Sequence, residues 1–370
     1  MKKVLKTFNK NAIFIVLITI MLCLFGVVMI YSASCFNAKQ NFGFSTYFVN
    51  KQLIGFLIGL VAMFLMFKLD YHFLLKLYIP ALIIGILLLI IVLIPGVGVS
   101  NYGARRWIGF GAFSFQASEV SKFCFIVFCA GYMAKNKDKM TTFLGAMPVL
   151  CAGLVMCILI MLEPNMSITI CVALVTAVML LVGGIRLKHI AFLSVPAACA
   201  VPLLIILEPY RLKRLFAFID PWASPQGEGF QLIQSLYALG AGNLFGVGLF
   251  NSQQKYAFLP FSESDFIFSI IGEELGFVGA LLVLLLFGAL IYLGFKVSIN
   301  SKDRFGCYLG VGITSILAVQ VLLNVAVVTG AVPPTGLPLP FISAGSTSLV
   351  VFMSAIGVIL NINKQSKSRV

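Results

Sequence analysis

The sequence predicts an all-α polytopic membrane protein of about ten transmembrane helices, with both termini cytoplasmic and a large outer loop between spans 7 and 8. Three observations predict it. Of 370 residues, 61% are hydrophobic and only 10% are charged, against roughly 25% charged in a soluble domain. The mean hydropathy is +1.07. Ten spans of ~20 residues would use ~200 residues, and the chain has room for them as one membrane domain over 1–370. The 34 phenylalanines and 33 glycines suit a membrane bundle. In a soluble chain the net charge of +14 would raise nucleic acid as a partner. Here it serves topology first, and no nucleic-acid partner is expected. Nine cysteines are present without a CxxC pair or a histidine cluster, so neither a disulfide framework nor a zinc site is indicated.

The first apolar stretch runs from about Asn11 to Ser32, behind Lys2, Lys3, Lys6 and Lys10. It is longer than the usual 7–15-residue core of a cleaved signal and reads as a first span. Further spans read at about 52–67, 71–95, 116–134, 143–162, 166–184, 189–207, 265–295, 306–330 and 346–362. With both ends inside, seventeen of the 26 basic residues fall on the cytoplasmic side, as the positive-inside rule requires.

The nine exceptions are Lys39, Lys51, Arg105, Arg106, Lys122, Arg211, Lys213, Arg214 and Lys255. Most lie in two outer loops, at about 96–115 and 208–264. The second is far longer than an ordinary connection and carries Asp220, Trp222, Glu228, Gln231 and Gln234. It reads either as a solvated loop or as a basic pocket for a phosphate-bearing headgroup, since arginine forks match phosphate oxygens.

Ionisable residues at membrane depth are costly and are usually paired or functional. Glu119 and Lys122, three apart, share a helix face and read equally as an ion pair or a substrate lining. Glu273 and Glu274 fall ~12 Å along the eighth span from Asp265 and need a partner from elsewhere or a proton. Asp265 stands at the mouth of that span, where the helix dipole favours its ionised form. From position alone it reads best as an N-cap. The run from Pro333 to Gly345 holds four prolines and cannot be continuous helix. It is too apolar for a solvated loop, so it belongs beside a cavity. Gly242-Asn243-Leu244-Phe245-Gly246-Val247-Gly248 has the look of a phosphate loop but lacks a surrounding βαβ unit. Arg105-Arg106-Trp107 also suits an interfacial anchor.

Together these stretches resemble the SEDS family (shape, elongation, division and sporulation). The matching pieces are Ala104-Arg105-Arg106-Trp107-Ile108, Phe115-Gln116-Ala117-Ser118-Glu119-Val120-Ser121-Lys122, Arg211-Leu212-Lys213-Arg214-Leu215 and Asp220-Pro221-Trp222. Gly229-Phe230-Gln231 follows, and then Gln254-Lys255 through Leu259-Pro260 to Ser264-Asp265-Phe266-Ile267-Phe268 and Gly272-Glu273-Glu274-Leu275-Gly276. Leu339-Pro340-Phe341-Ile342-Ser343 closes the set. Asn165 stands where many relatives have Asp, and Asn243 and Ser346 each replace the second glycine of a Gly-Gly pair. The Ser343 and Glu163–Ser167 segments look more like the FtsW/SpoVE branch than the elongation branch.

The resemblance implies a peptidoglycan glycosyltransferase that polymerises lipid II at the outer face of the bacterial cytoplasmic membrane, during division or sporulation. It places the catalytic aspartate on Asp265, as base for the acceptor hydroxyl. It implies substrate contacts from Arg105, Arg106, Trp107, Glu119, Lys122, Arg211, Arg214, Gln231, Lys255 and Ser343. A divalent cation such as Mg2+ or Mn2+ is left open. The implied partners are a class B penicillin-binding protein and other division or sporulation proteins. Two competing readings are a lipid-precursor flippase, which would depend on Glu273 and Glu274, and a membrane scaffold, which would need neither these nor Asp265.

Overall fold

The computed structural model describes residues 10–101, 104–110, 113–186, 188–189 and 209–367. Its helices follow the apolar runs in order: α1 (Lys10–Phe42), α2 (Tyr47–Lys68), α3 (His72–Lys76), α4 (Tyr78–Leu93), α5 (Ala117–Lys135), α6 (Phe143–Leu162) and α7 (Met166–Gly183). After these come α8 (Pro209–Ile219), α9 (Phe230–Gly242), α10 (Ile267–Ile299), α11 (Arg304–Val328) and α12 (Ser346–Lys367). Among the described residues eight helices are long and apolar enough to cross a membrane, and α4 is a shorter apolar one. The span expected at 189–207 lies almost entirely outside the described residues.

Helix ends follow local chemistry. Nothing interrupts α1 between Ser32 and Phe42, so it runs ten residues beyond the expected stop to Phe42, and Gly43 at φ +78° ends it. Thr142 caps α6 by accepting from the Gly145 amide, Asn165 caps α7 through Ile168 N at 3.3 Å, and Asp303 caps α11 through Gly306 N at 2.9 Å. Asn165 thus does a cap's work without a charge.

The helical class holds, with one addition. The loop at 96–115 is not irregular but folds into a three-stranded antiparallel sheet, β1 (Gly98–Asn101), β2 (Ala104–Phe110) and β3 (Phe113–Gln116). Val99 pairs with Trp107, and Trp107 with Gln116. The pairing satisfies main-chain groups where the chain re-enters the apolar zone at α5.

α10 is broken at Gly276, which takes φ 68°, ψ −169°. A break frees carbonyls below it and amides above it, and in a membrane these need protein partners. The glycine-rich segment 242–248 supplies them. Val247 N and Gly248 N donate to the carbonyls of Glu273 and Glu274 (2.9 and 3.0 Å). Phe277 N and Val278 N donate to the carbonyls of Asn243 and Leu244 (2.9 and 3.1 Å). The phosphate-loop look of that segment therefore has a structural cause: its glycines, including Gly246 at φ +80°, let two backbones meet.

The break also corrects the depth assigned to Glu273 and Glu274. They sit in the short N-terminal piece of α10, and Ser32 Oγ donates to Glu274 Oε1 at 2.5 Å. Ser32 stands ~33 Å along α1 from Lys10, which already exceeds a ~30 Å hydrocarbon core. The two glutamates are thus near one end of the bundle, the end that carries the sheet, the α8–α9 region and the proline-rich run. α2 packs along α12 through small residues, Gly55 against Ser346 and Gly59 against Met353.

Candidate functional site

The site lies at that loop-rich end. Asp265 is not the N-cap of α10: Phe266 holds that position and no side chain caps it. A one-residue change in helix start removes the capping explanation. The Asp265 main-chain carbonyl accepts from Asn324 Nδ2 at 2.9 Å, and the same amide reaches the Leu337 carbonyl at 2.6 Å. One asparagine of α11 thereby ties the aspartate to the proline-rich run. That run lies against the carboxylate, since a Cβ added to Gly336 would stand 2.8 Å from Asp265 Oδ2.

The run is fixed from three further sides. Ser343 Oγ donates to the Ser264 carbonyl at 2.6 Å and accepts from Leu339 N at 2.7 Å. Ala344 N donates to the Glu263 carbonyl at 2.9 Å. Gln52 of α2 donates through Nε2 to the Ser343 carbonyl and accepts from Gly345 N. Ser343 is buried, so it holds the segment rather than meeting a ligand.

Charge gathers around Asp265. Burial pushes its carboxyl up to about 6; Arg106 holds it down, Glu263 raises it, and Arg214 lowers it. The ionisation expected from the helix start is opposed by this burial. Arg106 and Arg105 are neighbours on β2 and so point to opposite faces of the strand. Arg106 is half-buried and turned inward, Arg105 is exposed, and Trp107 is half-buried. Arg106 Nε donates to the Glu163 carbonyl at 3.1 Å, and its terminal nitrogen donates to the Pro164 carbonyl. Arg214 of α8 donates to the Pro334 carbonyl at 3.2 Å and pairs with Glu228 at 3.7 Å. Beside it opens a cavity of about 770 Å³, lined among others by Lys213, Arg214, Asp220, Glu228, Gln231 and Pro260. Arg214 therefore joins the cavity to Asp265. Arg211 lies in α8, but its side chain is outside the described set.

Three expected substrate contacts are enclosed in the interior. Glu119 and Lys122 have no exposed area. Lys122 Nζ bonds Glu119 Oε1 at 2.7 Å and Gln320 Oε1 at 2.8 Å, and Gln320 Nε2 donates to the Pro338 carbonyl at 3.0 Å. The pair is an internal brace beneath the proline-rich run. Lys255 is likewise buried. Its ammonium lies 3.4 Å from Glu274 Oε1, reaches Ser32, and donates to the Phe250 carbonyl. It neutralises the glutamate at the helix break, and a headgroup phosphate has no access to it.

Several site residues escaped sequence reading. Gln320 and Asn324 sit four apart in an otherwise apolar span, and that spacing was the available signal. Glu163 and Glu263 lie within the stretches that carry the resemblance but had no role assigned there. Among the described residues no three His, Cys, Asp or Glu side chains converge to hold a metal.

A family model described as "Cell cycle protein" and covering FtsW, RodA and SpoVE matches residues 12–368. The chain belongs to the FtsW/RodA/SpoVE family. Among relatives, it is 41% identical over 354 residues to "Stage V sporulation protein E" of Bacillus subtilis, covering 95% of this chain and 97% of that one. It is 38% identical to "Probable peptidoglycan glycosyltransferase FtsW" of Trichlorobacter lovleyi, over 94% and 92% of the two chains. A solved chain from "Structural coordination of polymerization and crosslinking by a peptidoglycan synthase complex" superposes with TM-score 0.79 at 27% identity, over 96% of this chain and 98% of that one. The Thermus thermophilus RodA crystal structure shares the fold, with TM-score 0.71 at 23% identity over 95% and 96%.

Proposed function

We propose that this FtsW/RodA/SpoVE-family protein is a peptidoglycan glycosyltransferase that polymerises lipid II. The observation that carries the reading is Asp265: a half-buried carboxyl that caps no helix, held by Asn324 and flanked by the guanidinium groups of Arg106 and Arg214. The names of the relatives support the same reading. The cell envelope then sets the geometry: termini in the cytoplasm, the loop-rich end facing outward from the cytoplasmic membrane, and a lipid headgroup entering beside the α8–α9 cavity.

In this scheme Asp265 takes the proton from the acceptor sugar hydroxyl as that oxygen attacks the donor's anomeric carbon, with inversion. The pyrophosphate departs with the bonding pair, and the proton stays on Asp265. A glycosidase typically needs two carboxyls to protonate its leaving group and activate water; a pyrophosphate leaves without that help. A base with its pKa near the working pH contributes ~10²–10⁴ in rate. Arg106 and Arg214 stabilise charge growing on the leaving group. Arg105, Trp107 and Gln231 line the approach. The partner expected to supply crosslinking is a class B penicillin-binding protein, alongside other division or sporulation proteins.

Purified protein with that partner, its transpeptidase inactivated, tests the reading on fluorescent lipid II. Muramidase-sensitive strands are expected. Lipid II transport across vesicles without strand formation would instead support a flippase.

A further inference from the structure

Glu163 is not used by the scheme above, yet it sits against one of its arginines. It follows α6, and its carboxyl is fully enclosed. Neither Oε1 nor Oε2 has a hydrogen-bond partner, although Arg106 binds the main-chain carbonyls of Glu163 and Pro164. Carbonyls carry no net charge, so this grip fixes the direction of a guanidinium whose charge acts on both Asp265 and Glu163. An enclosed carboxylate is costly unless paired, and a neutral carboxyl avoids that cost.

We infer that Glu163 is a positioning residue of the site: uncharged, it leaves the charge of Arg106 to Asp265 and the anionic leaving group, and on ionising it draws that charge onto itself. The inference rests on the polymerase reading. The surrounding charges allow it. From β2, Arg106 acts on Glu163 and also on Asp265; Asp265 in turn feels Glu263 from the segment before α10 and Arg214 from α8. The charged groups of α5, Glu119 and Lys122, are turned to each other and to Gln320. α6 and α7 carry no charged residue. Burial raises the Glu163 carboxyl to about 8, with Arg106 holding it down, so the change falls just above neutrality.

The test is strand formation from lipid II by wild type and Glu163→Gln, each with its partner, at pH 7 and pH 9. With only the uncharged form active, an ionisation near pH 8 removes about tenfold in kcat/KM between pH 7 and pH 9. The expected pH 7 to pH 9 ratio is therefore about ten for wild type and close to one for the amide, which cannot ionise. Equal ratios overturn the inference, as does a folded Glu163→Gln that makes no strands at any pH. Should the amide fail to fold, Glu163→Met is read in the same way. If wild type makes no strands at all, the polymerase reading fails, a result separable from coincident profiles.

Discussion

Replacing Lys122 by methionine separates an internal brace from a substrate contact. Both Lys122 and Glu119 are fully buried, and the ammonium bonds Glu119 at 2.7 Å and Gln320 at 2.8 Å while lying 5.7 Å from the Phe352 ring. Its loss leaves a carboxylate whose second oxygen already has no partner. Breaking a buried pair from one side costs about 3–5 kcal/mol, and the orphaned Gln320 oxygen adds about 1–3 kcal/mol. Glu119→Leu/Lys122→Met removes both charges, and such apolar replacement is often neutral, leaving only the Gln320 term. Thermal unfolding of the detergent-purified protein, with strand formation measured in parallel, reads both effects. The single variant should unfold at a much lower temperature and the double variant should recover most of the loss. A Lys122→Met protein that melts like wild type yet makes no strands would refute the brace.

Other outcomes follow from the same geometry. Gly336→Ala places a Cβ 2.8 Å from Asp265 Oδ2; strand formation should fall at least tenfold while the melting temperature moves little. The rate should rise through about pH 6 as Asp265 ionises, and a profile flat from pH 5 to 7 would exclude it as the base. Gly246→Ala puts a side chain at φ +80° against the Glu274 carbonyl and should destabilise the fold by more than the ~1–2 kcal/mol of the backbone strain alone. Glu163 is raised from 4.5 to about 8, so the folded state holds more protons than the unfolded one in that window, and wild-type stability falls as pH rises through it. Glu163→Gln lacks this fall: relative to wild type it should gain melting temperature between pH 5 and pH 8.

Most of the bundle was legible because an apolar run of span length has few alternatives. What escaped depended on non-local pairing. Nothing in Val97–Phe115 alternates strongly enough to announce strands, and Trp107 finds Gln116 and Val99 only once the chain folds back. The helix break at Gly276 carries no proline, and the segment that patches it begins thirty-odd residues earlier; the contact of Glu274 with Ser32, which sets the glutamates near the end of the bundle, comes from farther still along the chain. Lys255 read as a free outer cation for the same reason: its partners, Glu274 and Ser32, come from distant elements. Asp265 was singled out by position and by resemblance, whereas its setting between Asn324, Gly336 and two arginines emerged only in three dimensions.

The central claim is that Asp265 is the base of a glycan polymerase. It is tested most directly by comparing wild type and Asp265→Ala, each co-purified with a transpeptidase-inactive partner and given lipid II. Wild type is expected to make strands and the folded variant to lose them by ~10²-fold or more. Equal strand formation by both would contradict the account and move the base elsewhere.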